Sequence, residues 1–397
     1  MSRLMSAPTV PATVLVVSLA GIHYATRPRK AARELSRFAN VKYLALQSSG
    51  RGGRVDRAGR FNSDGIAVHQ VKVRPRNPAA TLGAKLENLF ASYLPAFLRM
   101  AGIALKTPAD IVYVAGPVLG TIALAHSIRF RSRIVLDVPE RPGVLAAADS
   151  LASFFSRFEP FLIRRLASRR AVATVAVPSD VSLVRRWGFQ SVIPLRNAPL
   201  AAWRAPYKPP RDSRPITYVV IGSVFPGRAY EIMIEALALS IRRGRPVALR
   251  IVGPGTDVYV SRLHELAREL DVEDLISWEG AIEPDEVSAT YLSAHVGLVL
   301  YEAADPGNDG LSNKILECVS TGRPVIAGDL PENRAFVTAH DVGWLTDVTP
   351  ESLADTFERV AAEGDIDEFA ARCRKLGDES LTWEADFAQV RVVLGIG

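Results

Sequence analysis

Two carboxylates, Asp309 and Glu317, stand eight positions apart in the stretch "NDGLSNKILECVSTGRPVIAG" (308–328). Gly310 between them allows the backbone to approach a ligand closely. Ser312 and Asn313 then open a helix whose free N–H groups and positive dipole end form a ready anion site, with a nucleotide diphosphate as a common occupant. Glu317, one turn in, is placed to accept hydrogen bonds from a ribose or sugar diol, and Asp309 to do the same for a second polyol. Taken alone, Asp309 also reads as an ordinary turn residue and Glu317 as a surface helix residue. A second constellation lies upstream in "VVIGSVFPGRAYEIMIEAL" (219–237). It reads as strand, turn freed by Gly222, and helix, with Arg228 at the helix entrance, placed to neutralise a departing diphosphate. Neither a GxGxxG nor a Walker motif occurs, which lowers the weight of nicotinamide and ATP chemistry. In "LDVPERPG" (136–143), Asp137 and Glu140 are polar candidates; His23 and His126 are alternatives, although a lone His is more often structural.

Strands alternating with helices must position these groups, the pattern of a parallel sheet covered on both faces. In the first half the expected strands are 14–19, 41–46, 66–73, 111–114, 134–136 and 172–177. The expected helices are 28–39, 118–127 and 150–167, with an apolar helical stretch over 82–105 interrupted by Pro95. The Pro-rich stretch 196–215 lacks periodicity and reads as a linker. Strands are then expected at 216–221, 247–252, 275–278, 296–300, 325–327 and 343–345, with helices at 231–242, 258–270, 284–294 and 312–321 and a terminal helix from Trp383. The fold class is thus α/β, with two Rossmann-like doubly wound domains facing a cleft, and the ligand outside the carboxyl ends of the strands. The expected boundaries are 1–197, a linker at 198–215, 216–381, and a C-terminal helix at 382–397 returning to the first domain.

The 397 residues, 48% hydrophobic and 23% charged, describe a globular chain too long for one ordinary core. Two cysteines, Cys318 and Cys373, have no metal or redox spacing, which fits a reducing cytoplasm. "TVLVVSLAGI" (13–22) imitates a signal-peptide core, but a single upstream Arg3 and the basic helix pattern after it favour a buried strand. No apolar run is long enough to span a bilayer. The net charge of +6 is unevenly spread. Residues 1–200 hold 29 Lys and Arg against 10 Asp and Glu, a balance of +19, and the remainder balances at −13. The basic half suits an anionic membrane or anionic substrate, or simply a solvated surface. Nucleic acid is disfavoured, because no recognition motif accompanies the charge.

Four blocks together resemble glycosyltransferase family 4, which has the GT-B fold: 219–239, "LRIVGPGTDVYVSRLHELARELDVEDLISWEGAIEPDEVSATYLSAHVGLVLY" (249–301), 309–328, and Asn197 in "PLRNAP". The resemblance covers most of the second half and, more loosely, the first. It implies that Arg228 replaces the usual phosphate-binding Lys and that Ser223 stands where a second basic residue is usual. Asp309 replaces the first Glu of the E-x7-E region, near the donor sugar, and Glu317 is the second, on the ribose. Backbone N–H groups of Gly310, Leu311, Ser312 and Asn313 would meet the sugar or β-phosphate. Gly253–Gly255, Ala281 and Ile282 would line the base pocket, and Gly21 would bring backbone close to the diphosphate. Many relatives carry a His where Pro139 stands here, leaving the first-domain catalytic group open.

The implied reaction is transfer from a nucleotide sugar, a UDP-sugar favoured, to a hydroxyl acceptor with retained configuration and without metal or other cofactor. The basic first domain is the acceptor side in such enzymes. With the apolar stretches 82–105 and 153–170, it points to a lipid-linked glycan or polysaccharide precursor at the cytoplasmic membrane face, the chain being cytoplasmic or peripheral. A soluble small-molecule acceptor, a nucleotide-sugar-binding protein without turnover, and a GT-B epimerase stay open.

Overall fold

A computed structural model describes residues 11–23, 26–47, 57–74, 81, 83, 87–139, 159–167, 171–209, 215–302 and 310–396. The chain divides into two compact units, Met1–Arg196 with Asp386–Gly397, and Asn197–Ala385.

The first unit contains an eight-stranded sheet in the order β3-β4-β2-β1-β5-β6-β7-β8. Its strands are β1 (Thr13–Ser18), β2 (Asn40–Leu46), β3 (Gly59–Ser63), β4 (Ile66–Val71), β5 (Ile111–Ala115), β6 (Arg133–Val138), β7 (Val172–Val175) and β8 (Ser191–Pro194). Only β3 runs antiparallel, paired with β4. Asp64 and Gly65 join the two at φ 53° and 81°, the hand a tight hairpin turn requires. The central strands are apolar on both faces: Val14, Val16, Val112, Val114, Ile134 and Leu136 are fully buried. Pro95 does not interrupt its helix. It lies in the first turn of the α-helix Leu94–Ala104, where its missing N–H costs nothing, and a π-helical turn, Asn88–Tyr93, precedes it.

The second unit holds a six-stranded, wholly parallel sheet in the order β11-β10-β9-β12-β13-β14. Its strands are β9 (Ile216–Ile221), β10 (Val247–Val252), β11 (Ile276–Glu279), β12 (Val296–Val299), β13 (Val325–Gly328) and β14 (Gly343–Thr346). The order reverses beside β9, so successive crossovers depart in opposite directions from the pair β9/β12 and their loops part there. Three further helices, Pro331–His340, Pro350–Glu363 and Ile366–Glu379, complete the unit.

The Pro-rich stretch expected as a linker is held to the second unit over its described part. Arg204 donates to the Gly377 carbonyl and pairs with Asp378, and Ala205 N–H donates to Ser288. Arg323, itself buried, donates through Nε to Ala294 O at 2.7 Å, and its guanidinium stands 6.0 Å from the Tyr207 ring. In the first unit Arg196 grips Asp386 with its backbone N–H, Nε and a terminal nitrogen, and Arg133 donates to Leu394 O at 2.6 Å.

Asp137, expected as a polar site residue, is instead wholly buried at the end of β6. Arg27 donates to both its oxygens, at 2.6 and 2.8 Å, and the Thr174 hydroxyl donates at 2.7 Å. The remaining Arg27 nitrogen donates to Leu195 O at 2.8 Å. With its carboxylate occupied in this way, Asp137 is a structural group. Asp137→Ala strands a buried guanidinium, so urea denaturation of the full chain should show a loss of about 3–5 kcal/mol.

Candidate functional site

The second unit gathers most of the expected site residues onto the loops that leave β9, β10, β11 and β12. Backbone contacts fix three of these loops against each other. Gly222 N–H donates to Val252 O, Gly253 N–H to Glu279 O, and Val224 N–H to Pro254 O, at 2.8–3.0 Å. Gly253 has φ +148°, and a Cβ there would lie 1.7 Å from the Gly222 carbonyl oxygen. Only glycine fits, because the loop after β10 runs directly against the loop after β9. Ala281 is exposed and Ile282 half-buried, both following β11; Ile282 packs on the core that includes Val252 and Leu316.

The loop after β9 carries Arg228 to the reversal point. Glu302 N–H, just beyond β12, donates to Gly227 O at 3.1 Å. Ala229, buried and in the left-handed region at φ 56°, turns the chain into the helix Tyr230–Arg242. This conformation is costly for a residue with a Cβ. It directs Arg228 over two rings, with its guanidinium carbon 4.8 Å from the Phe225 centroid and 4.5 Å from that of Tyr301. Tyr230 behind it is pushed well above its ordinary pKa by burial, while the charge of Arg228 acts the other way.

The helix Asn313–Ser320 begins beside the same rings. Ser312 caps it by accepting from Lys314 N–H at 3.3 Å and shares a 2.9 Å hydrogen bond with the Tyr301 hydroxyl. Its own N–H reaches Asn333 Oδ1 at 3.5 Å. Gly310 and Leu311 are half-buried ahead of it and Asn313 is exposed. Glu317 accepts from the Lys314 ammonium at 2.8 Å. Burial opposes the charge on Lys314, and so does Arg228. The charge and hydrogen bond of Glu317, with a smaller contribution from Tyr301, together hold the ammonium above its usual range.

Arg228, Ser312, Lys314 and Glu317 are thus connected through Tyr301, with Gly222, Ser223 and Gly253 in the loops alongside. Sequence reasoning missed Phe225, Tyr301 and Lys314 as members. The i, i+3 spacing of Lys314 and Glu317 was the available signal, whereas Tyr301 meets Arg228 only through the sheet order. Asp309 and Glu140 lie outside the described residues. In the first unit Gly21 is buried in the turn leaving β1, and Pro139 follows β6 half-buried. His126 is buried, its ring nitrogens 2.8 Å from Thr107 O and the Ser132 hydroxyl, which makes it a packing group. Cys318 is buried and its thiol is pushed up to about 12 by burial, consistent with packing rather than reactivity.

Residues 215–376 match the family model described as glycosyl transferases group 1. The two α/β units have the fold of GT-B glycosyltransferases. The GDP-mannose-dependent alpha-(1-6)-phosphatidylinositol monomannoside mannosyltransferase of Mycobacterium tuberculosis (strain H37Rv) is 32% identical over 156 residues. That alignment spans 36% of this chain and 40% of the relative's length. Among solved structures, sucrose-phosphate synthase from Thermosynechococcus elongatus superposes with a TM-score of 0.69 at 15% identity, over 97% of this chain and 98% of that one. The Anabaena protein HepE, solved with UDP and glucose, gives 0.66 at 14% identity, over 97% and 99%. At these identities the likeness is one of fold.

Gly253→Ala must displace the loop that carries Arg228, and unfolding of the second unit should lose about 3 kcal/mol or more. Gly280→Ala, where an added Cβ meets nothing within 4 Å, is the control and should stay within about 0.5 kcal/mol.

Proposed function

We propose that this chain is a retaining glycosyltransferase that moves a sugar from a nucleotide sugar to a hydroxyl acceptor, without a metal ion, and that the acceptor is lipid-linked. The observation that carries this reading is the placement of Arg228 at the strand-order reversal, beside the N–H end of Asn313–Ser320, within the matched glycosyltransferase domain. Negative charge develops on the diphosphate as the glycosidic bond to it breaks. A fixed guanidinium and a set of backbone N–H groups stabilise that charge without reorganising. Glu317 accepts from the ribose hydroxyls. The mannosyltransferase relative favours GDP-mannose as donor, and the UDP complex of a fold neighbour keeps UDP-glucose as the second candidate.

Arg228→Ala should lower turnover of the accepted donor by about two to three orders of magnitude. Arg228→Lys keeps the charge but forfeits the planar contact with two rings, so it should recover only part of the loss. Normal turnover in Arg228→Ala would remove this residue from the reaction. Glu317→Ala should weaken binding of the matching nucleoside by about 1.5–3 kcal/mol. Ligand-observed NMR with the nucleoside isolates the ribose contact from that of the phosphates.

The lipid-linked acceptor is supported by the name of the mannosyltransferase relative and by the surface of the first unit. Along 88–104, Ala96, Met100 and Ala104 face the core, whereas Phe90 is 61%, Leu94 39% and Leu98 60% exposed. The three form a stripe at spacings of four on a half of the chain whose charge balance is +19. Among the described residues no helix is long and apolar enough to cross a membrane. Attachment to anionic bilayers would therefore be interfacial. Liposome co-sedimentation of the full chain should show a salt-sensitive part and a salt-resistant part. Phe90→Ser with Leu98→Ser should remove the latter, each inserted side chain contributing about 1.5–3 kcal/mol. Failure of the full chain to bind anionic vesicles at low salt would redirect the proposal to a soluble acceptor.

A further inference from the structure

We propose that Lys314 is a second diphosphate-binding cation, held on Glu317 in the free protein and transferred to a phosphate oxygen when donor binds. The proposal rests on the donor-site reading above and deepens it. Lys314 occupies the first turn of Asn313–Ser320, the end of a helix where the dipole repels a cation. Its side chain is half-buried and experiences the charge of Arg228 as a repulsion. Three positive features therefore converge: Arg228, the Lys314 ammonium and the helix N–H end. Glu317 is the carboxylate that offsets them, at 2.8 Å from Lys314.

A lysine kept only for fold stability gains little from such a position. An i, i+3 ion pair on a helix contributes only about 0.2–0.5 kcal/mol, and here helix dipole and guanidinium both oppose it. The convergence suits a ligand carrying several negative charges. Lys314 occupies Oε2 of Glu317, so a ribose diol that takes both carboxylate oxygens competes with the ammonium for that one. A nucleoside diphosphate resolves both conflicts together. Its phosphates draw the ammonium off Glu317, and the freed carboxylate accepts from the ribose hydroxyls. Lys314 is suited to this exchange, since an ammonium on a flexible stem is a movable point charge, whereas the guanidinium of Arg228 is fixed over its two rings.

The test is the ratio of diphosphate to nucleoside affinity, measured by calorimetry or ligand-observed NMR for GDP against guanosine and UDP against uridine. Lys314→Met should lower that ratio roughly ten- to hundredfold, the size of a hydrogen bond between charged groups. Its nucleoside affinity should hold or rise, because Glu317 is released. Lys314→Arg should restore much of the ratio. Glu317→Gln should move the ratio the other way, lowering nucleoside affinity while freeing the ammonium. A lysine that only orients Glu317 would change nucleoside and diphosphate affinity together. An unchanged ratio in Lys314→Met, with a wild type that prefers the diphosphate, overturns this proposal alone. A wild type with no preference for GDP or UDP over its nucleoside overturns the donor-site reading and this proposal with it.

Discussion

In a parallel sheet whose strand order reverses at its middle, two adjacent strands send their chains away in opposite directions. No crossover covers the gap between their carboxyl ends. In the second unit that pair is β9 and β12. The loop after β9 brings Arg228, and the chain leaving β12 brings Tyr301. The two residues, 73 positions apart, meet because the sheet parts there. The hydrogen bond from Glu302 N–H to Gly227 O ties the two exits together. Contacts around Gly253 hold the β9 loop from its other side. A site built on these loops inherits the rigidity of the sheet without being buried by it.

Ala229 adopts a left-handed conformation that a glycine would take more cheaply. Arg228 is laid across two aromatic faces, and Lys314 sits at the wrong end of its helix. The Ala229 backbone is the strained element of the three, whereas the ring contacts of Arg228 and the pairing of Lys314 with Glu317 are favourable. The surrounding core maintains them: Tyr218, Met233, Ile234 and Leu237 are all buried beneath the strand and helix that hold the loop. The first unit contrasts with this. Its Arg27–Asp137–Thr174 cluster is buried with its bonds made, joining the helix after β1 to β6 and β7. The first-unit cluster is charge satisfied within the protein, whereas in the second unit Arg228 rests on aromatic rings and Lys314 on Glu317.

How much of this was legible in the sequence follows from range of interaction. Strands β9 and β10 were delimited to the residue, since "ITYVVI" and "VALRIV" are short apolar runs between turn signals. The edge strand β3 was missed: "GRFNS" has one large apolar residue, and only the Asp64–Gly65 dipeptide announces the hairpin. The helices after β13 and β14 were unread although Pro331 and Pro350 mark their first turns. At the site, Glu317 and the helix start were visible because they are local. Of the partners of Arg228, Phe225 is only three residues away and within local reach, whereas Tyr301 depends on topology. Asp137 misled for the same reason. A carboxylate at a strand's carboxyl end invites a catalytic reading, and its guanidinium partner lies 110 residues away.

Global charge and site charge also separate here. Residues 201–397 carry a balance of −13, yet two cations, Arg228 and Lys314, stand with Glu317 near Tyr301. Much of the acid is dispersed on solvent-facing helix surfaces, where Asp355 and Glu358 share Arg243 and Glu368 stands beside Arg372. Exposed charges of that kind are screened within about 8 Å at physiological salt. Arg228 and Lys314, half-buried beside aromatic and backbone groups, are screened less. The acidic exterior then does not need to be overcome at contact distance. Toward an approaching anion it acts through a weak, salt-dependent repulsion, distinct from the short-range field of the groups at the reversal of the sheet.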